Sequence, residues 1–283
     1  MLFRSKFAEA EHLLIKAVGA RSRVLGNEHP DTLISKYELA VVYMREGKYD
    51  KAEPLFVDVM ENYRHMLGEE HPFTLTALLG LAGLYQAEEK YSEAQALNSK
   101  VLEVRRRALG GDHPDTLSAM YLLADTYRRQ GQYDKAEHML ADLANSRRRV
   151  LGPQHRDTAA TLVLLGRVRI QQKKYADAES PLREATTLYE NTLPDVWQRY
   201  LCKGLLGASL AGQGRYAESE PLLIDGYQGM LQREASIAVD NRSVLGQAAD
   251  WILRLYQDWD QPEKVAKWRI IDSRRIDSKA AGK

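Results

Sequence analysis

Residues 25–49 read LGNEHPDTLISKYELAVVYMREGKY. Versions of this stretch return at residues 67–91, 109–133 and 151–175, and successive copies are 42 residues apart each time. Every copy opens on Leu-Gly, carries a His four residues after that Leu, and closes on Tyr. Self-similarity at one fixed period is the sequence signature of a repeat protein, so the chain is predicted to consist of stacked copies of one unit.

Each unit is predicted to contain two helices joined by a turn. In the first unit, Pro30 suits the first turn of a helix, because its missing N–H would have no partner there. Gly47 ends that helix, and a second helix is predicted from about Tyr49 to Leu67, where Gly68 provides a glycine stop. Apolar residues recur at helical spacing, and no stretch alternates as a strand does. The predicted fold class is therefore all-α, with stacked helix pairs that share one continuous core.

The composition is that of a folded protein without a dominant charge. Of the 283 residues, 44% are hydrophobic and 28% charged, and 40 basic and 39 acidic residues leave a net charge of +1. This balance gives no overall electrostatic reason to expect nucleic acid or a membrane as the partner. The single cysteine, Cys202, cannot form a disulfide within the chain, which fits a reducing compartment. Since no apolar run is long enough to span a bilayer, a cytoplasmic location is expected.

The spacing of small and large residues in each unit resembles the tetratricopeptide repeat (TPR). In the first unit the resemblance is carried by Leu39-Ala40, Tyr43, Gly47, Tyr49 and Ala52-Glu53. The 42-residue period and the linker pattern LG-x-x-HP-x-TL are similar to the kinesin-light-chain type of TPR. The resemblance implies a right-handed α-solenoid that binds other polypeptides and has no enzymatic activity.

The C-terminal part resembles the closing segment of TPR arrays in planctomycete-type bacteria, which often follow a Ser/Thr kinase domain. The resemblance is carried by residues 193–197, 205–207, 216–218 and 221–223. It implies an alternative function, in which the chain is a regulatory module that acts in cis on an attached signalling enzyme such as a Ser/Thr kinase.

The repeat register divides the chain into four parts. Residues 1–25 are predicted to be a partial first repeat, present as its second helix only. Residues 26–190 are predicted to hold four kinesin-light-chain-like TPR units, and residues 191–277 divergent capping repeats, because a terminal repeat has one face without a neighbour. Residues 278–283 are predicted to form a frayed tail. Since the chain begins inside a second helix, it is expected to be part of a longer protein, and the alternative is that Met1 is the true start of a shortened protein.

Residues that could carry catalysis or bind a metal are predicted to have structural roles. Four histidines occupy equivalent repeat positions, His29, His71, His113 and His155. Equivalent positions of packed helices lie roughly 8–10 Å apart, so these side chains cannot share one metal ion, and each is predicted to order the turn before a first helix. Cys202 lies among apolar helix residues and is predicted to be a buried, unreactive thiol. Without a phosphate loop, metal-ligand spacing or nucleophile motif, no enzyme activity, cofactor or metal is expected.

Two arginine runs, residues 105–107 and 147–149, lie at the ends of second helices, with Arg21 and Arg23 at the same edge of the partial repeat. They could form a basic strip for nucleic acid or anionic lipid. Such runs are more often solvated helix ends, where cations stabilise the helix dipole. We therefore expect no membrane partner, and nucleic-acid binding by the basic helix ends stays a further alternative.

The TPR resemblance implies a ligand groove lined by the first helices of the units. The family often holds Asn directly before the Leu-Ala pair, where this chain has Glu38, Gly80, Leu122, Leu164 and Leu205. Three positions further along, the candidate groove residues are Val41, Gly83, Asp125 and Arg167. One helical turn beyond those, the candidates are Arg45, Gln86, Arg128, Arg129 and Gln171.

We expect this groove to bind a peptide segment that has acidic residues and an apolar anchor. Three arginines of the third and fourth units are predicted to surround Asp125, and arginine forks match carboxylates in geometry. Gly80 and Gly83 are expected to leave a depression for a large side chain. The partner is thus expected to be a protein or peptide, and the chain itself a monomer.

Overall fold

The computed structural model describes residues 2–237, 241 and 243–270. Its α-helices are α1 (Leu2–Leu25), α2 (Pro30–Arg45), α3 (Tyr49–Leu67), α4 (Pro72–Ala87), α5 (Tyr91–Leu109), α6 (Pro114–Arg129), α7 (Tyr133–Val150), α8 (Arg156–Gln171), α9 (Tyr175–Thr192), α10 (Trp197–Gly212), α11 (Tyr216–Gln232) and α12 (Ser243–Asp258). A short 3-10 helix, Glu234–Ser236, follows α11, and a last helical stretch covers residues 262–270. No strand occurs in these described ranges, and the predicted all-α fold class is confirmed.

The helices alternate in the way that the repeat register predicts. The part predicted as a partial repeat contains the single helix α1 (Leu2–Leu25), and the four units that follow each contain one helix pair, from α2 and α3 to α8 and α9. The divergent region beyond residue 191 contains α10, α11 and α12. The tail predicted at residues 278–283 lies outside the described residues.

A histidine side chain caps the start of four first helices. His29 Nδ1 accepts a hydrogen bond from the backbone N–H of Asp31 at 3.2 Å. This contact satisfies one of the N–H groups that the first turn of α2 would otherwise leave without a partner. The same contact recurs at 3.1 to 3.2 Å in three other helices, at His71, His113 and His155. The predicted role of the histidines in ordering this turn is confirmed.

The turn between the two helices of a unit requires a left-handed backbone. Gly47 has a φ of 76°, and Gly131 and Gly214 have φ values of 76° and 77° at the equivalent position. In the two remaining units this position holds Glu89 and Lys173, both with a φ of 62°. Since a Cβ atom is disfavoured in this conformation, these two turns are more strained than the glycine turns.

The chain divides into two compact parts, each of which contains several repeats. We call residues 1–136 unit 1 and residues 137–283 unit 2. In unit 1 each helix from α1 to α6 packs on the next one, and the core side of α3 is fully buried at Ala52, Phe56 and Val59. In unit 2, α8 to α11 pack in the same sequential manner, and α12 contacts both α10 and α11.

A tryptophan closes the core of unit 2 at its C-terminal side. Trp268, on the last helical stretch, is buried and donates from Nε1 to the carbonyl oxygen of Ala249 at 3.1 Å. Its ring meets the Tyr227 ring edge-on, with 5.1 Å between the centroids. Because the indole N–H has a partner, its burial stabilises the core without leaving a donor unpaired.

Ion pairs join a second helix to the turn of the next hairpin, and we call each such contact a hairpin joint. The hairpin joints are Glu11–Lys48 in unit 1, and Glu137–Lys174 and Glu179–Arg215 in unit 2, with N–O distances of 2.6 to 2.7 Å. These residues recur at fixed repeat positions, and Gln95 and Gln132 stand at those positions in one further pair of hairpins. The same contact therefore fixes several hairpins to their neighbours.

Candidate functional site

The first-helix face of unit 1 is the surface formed by the sides of α2, α4 and α6 that carry the candidate groove residues. On α2, Glu38 and Arg45 are exposed, and Val41 between them is half-buried. On α4, Gly83 and Gln86 are half-buried. Each of these side chains or backbone positions retains some access to solvent, which a ligand-binding residue requires.

The two glycines of α4 have different surroundings. A Cβ at Gly80 would stand 2.7 Å from Phe56 Cε1 and 2.8 Å from Tyr37 Cε2, so aromatic rings already fill this space. A Cβ at Gly83 would meet only Met44 Sδ, at 4.0 Å. The expectation of a depression at Gly80 is therefore wrong, because Gly80 is a close-packing residue, whereas the space beside Gly83 is open.

A charged cluster lies on α6, formed by Asp125, Arg128 and Arg129. Arg128 Nη2 lies 2.7 Å from Asp125 Oδ1, and Arg129 Nε lies 2.8 Å from Asp125 Oδ2. Burial of the Asp125 carboxyl opposes its ionisation, but the two guanidinium groups outweigh this effect and hold its pKa below the usual value. The carboxylate is thus charged at neutral pH, and the cluster of two cations and one anion has a net charge of +1.

The two arginines of this cluster differ in their access to solvent. The Arg128 side chain is only 8% exposed, whereas that of Arg129 is 26% exposed. Arg128 is therefore committed to Asp125 and to the packing of α6. Arg129 is the residue of the cluster that can meet a bound partner with less rearrangement.

In unit 2 the corresponding helix positions contact α12. Arg167 donates from Nη2 to Gln247 Oε1 on α12 at 2.7 Å. The Trp251 ring on α12 lies 3.4 Å from the point where a Cβ on Gly204 of α10 would stand. Helix α12 thus covers part of α10, and Gln171 is the exposed candidate on α8. The expected closeness of Arg167 to Asp125 stays a prediction, since Asp125 lies in unit 1 and Arg167 in unit 2.

Sequence reasoning missed a polar network beneath the first-helix face of unit 1. Gln86 Nε2 on α4 and Asn98 Nδ2 on α5 both donate to Thr126 Oγ1 on α6, at 2.5 and 2.9 Å. Asn98 is 2% exposed and Thr126 is fully buried. Other second helices have Phe56, Leu140, Leu182 and Leu223 at the repeat position of Asn98. An alignment of the units at their 42-residue period would therefore have singled out this asparagine.

In each arginine run at the end of a second helix, the first arginine side chain is buried. Arg105 and Arg147, the first residue of each run, are 9% and 4% exposed. They donate from Nη1 to the carbonyl oxygens of Asp115 and Asp157, at 2.9 and 2.8 Å. The interpretation of the runs as solvated helix ends is wrong for these two residues, which link a second helix to the next first helix.

Cys202 is a core residue of unit 2. Its side chain is fully buried, and Sγ lies 3.2 Å from Thr186 Oγ1. Burial raises the pKa of the Cys202 thiol to about 12, so the reactive thiolate is not formed at neutral pH. The predicted burial of this thiol is confirmed, and its lack of reactivity stays a prediction.

The described part of the chain lacks the side-chain and helix arrangements of two other kinds of site. No group of three or more His, Cys, Asp or Glu side chains among the described residues is arranged to hold a metal ion. Within the same residues, none of the helices combines the length and the apolar character needed to cross a membrane.

The chain belongs to the tetratricopeptide repeat family. The family profile matches residues 2–65, 33–100, 73–147 and 143–191, which together cover most of the chain. These matches span the units that the 42-residue period marks. A search of curated proteins found no significant match.

Several solved structures share this fold. The kinesin-light-chain TPR-like repeats of Podosopora anserina are 25% identical over 73% of this chain and 98% of theirs, with a TM-score of 0.62. BtubC (BKLC) from P. vanneervenii is 15% identical over 83% of this chain and 93% of its own, with a TM-score of 0.66. A Rap protein complexed with competence and sporulation factor is 14% identical over 99% of this chain and 87% of its own, with a TM-score of 0.60. The chain is therefore similar in fold to TPR proteins of the kinesin-light-chain type.

Proposed function

We propose that this chain is a non-enzymatic scaffold that binds a polypeptide segment on the first-helix face of unit 1. The observation that carries the proposal is the pairing, on adjacent helices, of the open space at Gly83 with the net positive cluster at Asp125. A segment lying across α4 and α6 would place an apolar side chain at Gly83 and a carboxylate at Arg129. The Rap protein of similar fold, which was crystallised with competence and sporulation factor, supports a binding role for such an array.

The preference for acidic residues follows from the charge of the cluster. The cluster combines two guanidinium groups with the single carboxylate of Asp125, so its net charge of +1 favours an anion. A carboxylate that binds Arg129 would form a charge-assisted hydrogen bond in a partly buried place. On α2, the exposed Glu38 and Arg45 offset one another, so α6 determines the sign of the charge that this face prefers.

The proposal is tested by selecting random peptides on the intact chain, on an Arg129→Glu variant and on an Arg64→Glu variant. Arg64 is exposed at the end of α3, a second helix, so its variant changes the net charge equally at a place outside the first-helix face. We expect acidic sequences with an apolar residue to be enriched on the parent and on Arg64→Glu, and to be lost on Arg129→Glu. Circular dichroism melts would verify that all three chains are folded.

The other outcomes would contradict parts of the proposal. Enrichment of the same acidic sequences on Arg129→Glu would show that the cluster on α6 does not select them. Loss of enrichment on Arg64→Glu as well would indicate that net charge, and not this face, governs binding. A parent chain that enriches no sequence at all would overturn the proposed peptide-binding role.

A further inference from the structure

Thr126 is the centre of a polar network that joins three helices of unit 1. Its Oγ1 accepts from Gln86 Nε2 at 2.5 Å and from Asn98 Nδ2 at 2.9 Å. The same hydroxyl donates to the carbonyl oxygen of Leu122, one turn earlier on α6, at 2.9 Å. Gln86 is half-buried at the first-helix face, whereas Asn98 lies in the core below it.

The hydrogen bonds of Thr126 determine the orientation of the Gln86 amide. A hydroxyl has one proton and two lone pairs, and here the proton is given to Leu122. Both amide groups must then donate to Thr126, which turns the Gln86 nitrogen inward and its carbonyl oxygen away from Thr126. Among the described residues Gln86 Oε1 has no hydrogen-bond partner, so a fixed acceptor is left at this face.

Asn98 leaves a polar atom without a hydrogen-bond partner in the core of unit 1. It is 2% exposed and its Oδ1 has no hydrogen-bond partner, and a buried unpaired acceptor is unfavourable. Other second helices have an apolar side chain at the repeat position of Asn98, namely Phe56, Leu140, Leu182 and Leu223. A polar residue with an unpaired atom at a core position indicates a role other than packing, and the group that Asn98 holds in place is the Thr126 hydroxyl.

The surroundings of Gln86 leave room for the main chain of a bound polypeptide. Gly83 lies one turn earlier on α4 and has only Met44 Sδ near the place of a side chain, at 4.0 Å. Asp125 and Arg129 of the charged cluster lie on α6, and Gln86 is hydrogen-bonded to Thr126 on the same helix. A backbone can thus approach α4 closely at Gly83 and reach Gln86.

We propose that Gln86 binds the main chain of the ligand, with Oε1 accepting a hydrogen bond from a backbone N–H, and that Thr126 and Asn98 are its positioning residues. The inference rests on the proposed function and adds the recognised group, which is an unmodified main-chain amide. An apolar ligand side chain lies at Gly83 against Met44, and a neighbouring acidic residue meets Arg129.

The experiment uses a peptide from the selection on the parent chain, synthesised unmodified and with each amide N-methylated in turn. Its affinity is measured for the parent, for Gln86→Ala and for the double variant Asn98→Leu/Thr126→Val. The double variant replaces the network with apolar groups of the kind found at Leu140, and the loss of the unpaired acceptor is expected to raise its melting temperature. A stability gain combined with a binding loss distinguishes positioning from packing.

We expect both variants to bind the unmodified peptide about fivefold to tenfold more weakly, as for the loss of one neutral hydrogen bond. N-methylation of one particular amide should weaken binding to the parent by a similar factor and have little effect on Gln86→Ala. Unchanged affinity in both variants, or an equal N-methylation effect on parent and Gln86→Ala at every position, would overturn the inference while leaving the proposed function intact. Failure of the parent to select any peptide would overturn both.

Discussion

The turn residues Glu89 and Lys173 adopt a backbone conformation that glycine occupies in the equivalent turns. For a residue with a Cβ, the left-handed region costs roughly 1–2 kcal/mol. Glycine avoids this strain but loses roughly 0.5–1 kcal/mol more chain entropy on folding. The difference favours glycine, so local stability should differ between units of otherwise similar construction.

We predict that Glu89→Gly raises the free energy of unfolding by about 0.5–1 kcal/mol, because the relief of strain exceeds the entropic cost. The midpoint of urea denaturation, compared with that of the parent, measures the effect. Gly131→Ala, at the same turn position, is the matched control and should lower the midpoint. A lower midpoint for Glu89→Gly would mean that the Glu89 side chain makes stabilising contacts that outweigh its backbone strain.

Some single residues could be predicted from the sequence, and others could not. The role of His29 in ordering the turn before α2 followed from its place before Pro30 at the start of a helix. The inward direction of Arg105 did not, because a run of three arginines at a helix end gives no sign of which one faces the neighbouring helix. Asn98 breaks a repeated apolar position, so its exception was visible in the sequence, but its contact with Thr126 depends on the packing of three helices.

Two glycines of helix α4 differ in how closely the neighbouring helices pack against them. Gly80 faces Tyr37 and Phe56 of the preceding hairpin, whereas Gly83 faces open space. Both glycines lie in a helix interior, where alanine is intrinsically more favourable by about 1 kcal/mol. The same substitution at the two positions should therefore have opposite effects.

We predict that Gly80→Ala lowers the free energy of unfolding by about 1–3 kcal/mol, since a methyl group there would overlap two aromatic rings in a packed core. Gly83→Ala should raise the free energy of unfolding by up to about 1 kcal/mol through helix propensity. Thermal melts of the two variants beside the parent are the measurement. Equal shifts in the two variants would show that Gly80 is not the close contact between the hairpins.

The helices themselves were largely predictable, because the 42-residue period, the prolines and the glycine stops mark nearly every boundary. The depression expected at Gly80 was wrong for a physical reason: the side chains that fill it come from α2 and α3, and their reach is not encoded in the sequence of α4. In the same way, the cover that α12 places on α10 depends on how the C-terminal helices return to the array, which repeat spacing does not describe.

Across the molecule, the hairpin joints make stability depend on carboxylates. At Glu179, burial opposes ionisation, but hydrogen bonds from Gln213, Arg183 and Arg215 outweigh it and lower the pKa to about 2. The pKa values of Glu11 and Glu137, in the equivalent joints, are also lowered. A carboxyl group whose pKa is lower in the folded than in the unfolded chain contributes stability at neutral pH and loses it on acidification.

We predict that the melting temperature falls as the pH decreases from the unfolded-state pKa of Glu179, 4.5, towards the folded-state value of about 2. The variant Glu179→Gln should melt lower than the parent at neutral pH and lose less stability over this acidic range, because one of the titrating joints is absent. Calorimetric melts over a pH series provide the measurement. Curves for parent and variant that remain parallel throughout would show that this joint does not couple protonation to folding.

The hairpin joints also bear on how such a gene can change in length. Because each joint uses residues at equivalent positions of the repeat unit, a duplication or deletion of one whole unit would bring together hairpins whose opposite charges still match. Recombination could therefore lengthen or shorten the array without new compensating mutations. The pair of hairpins with Gln95 and Gln132 is the place where an inserted neighbour would meet an uncharged side chain, so exchange of units should be less well tolerated there.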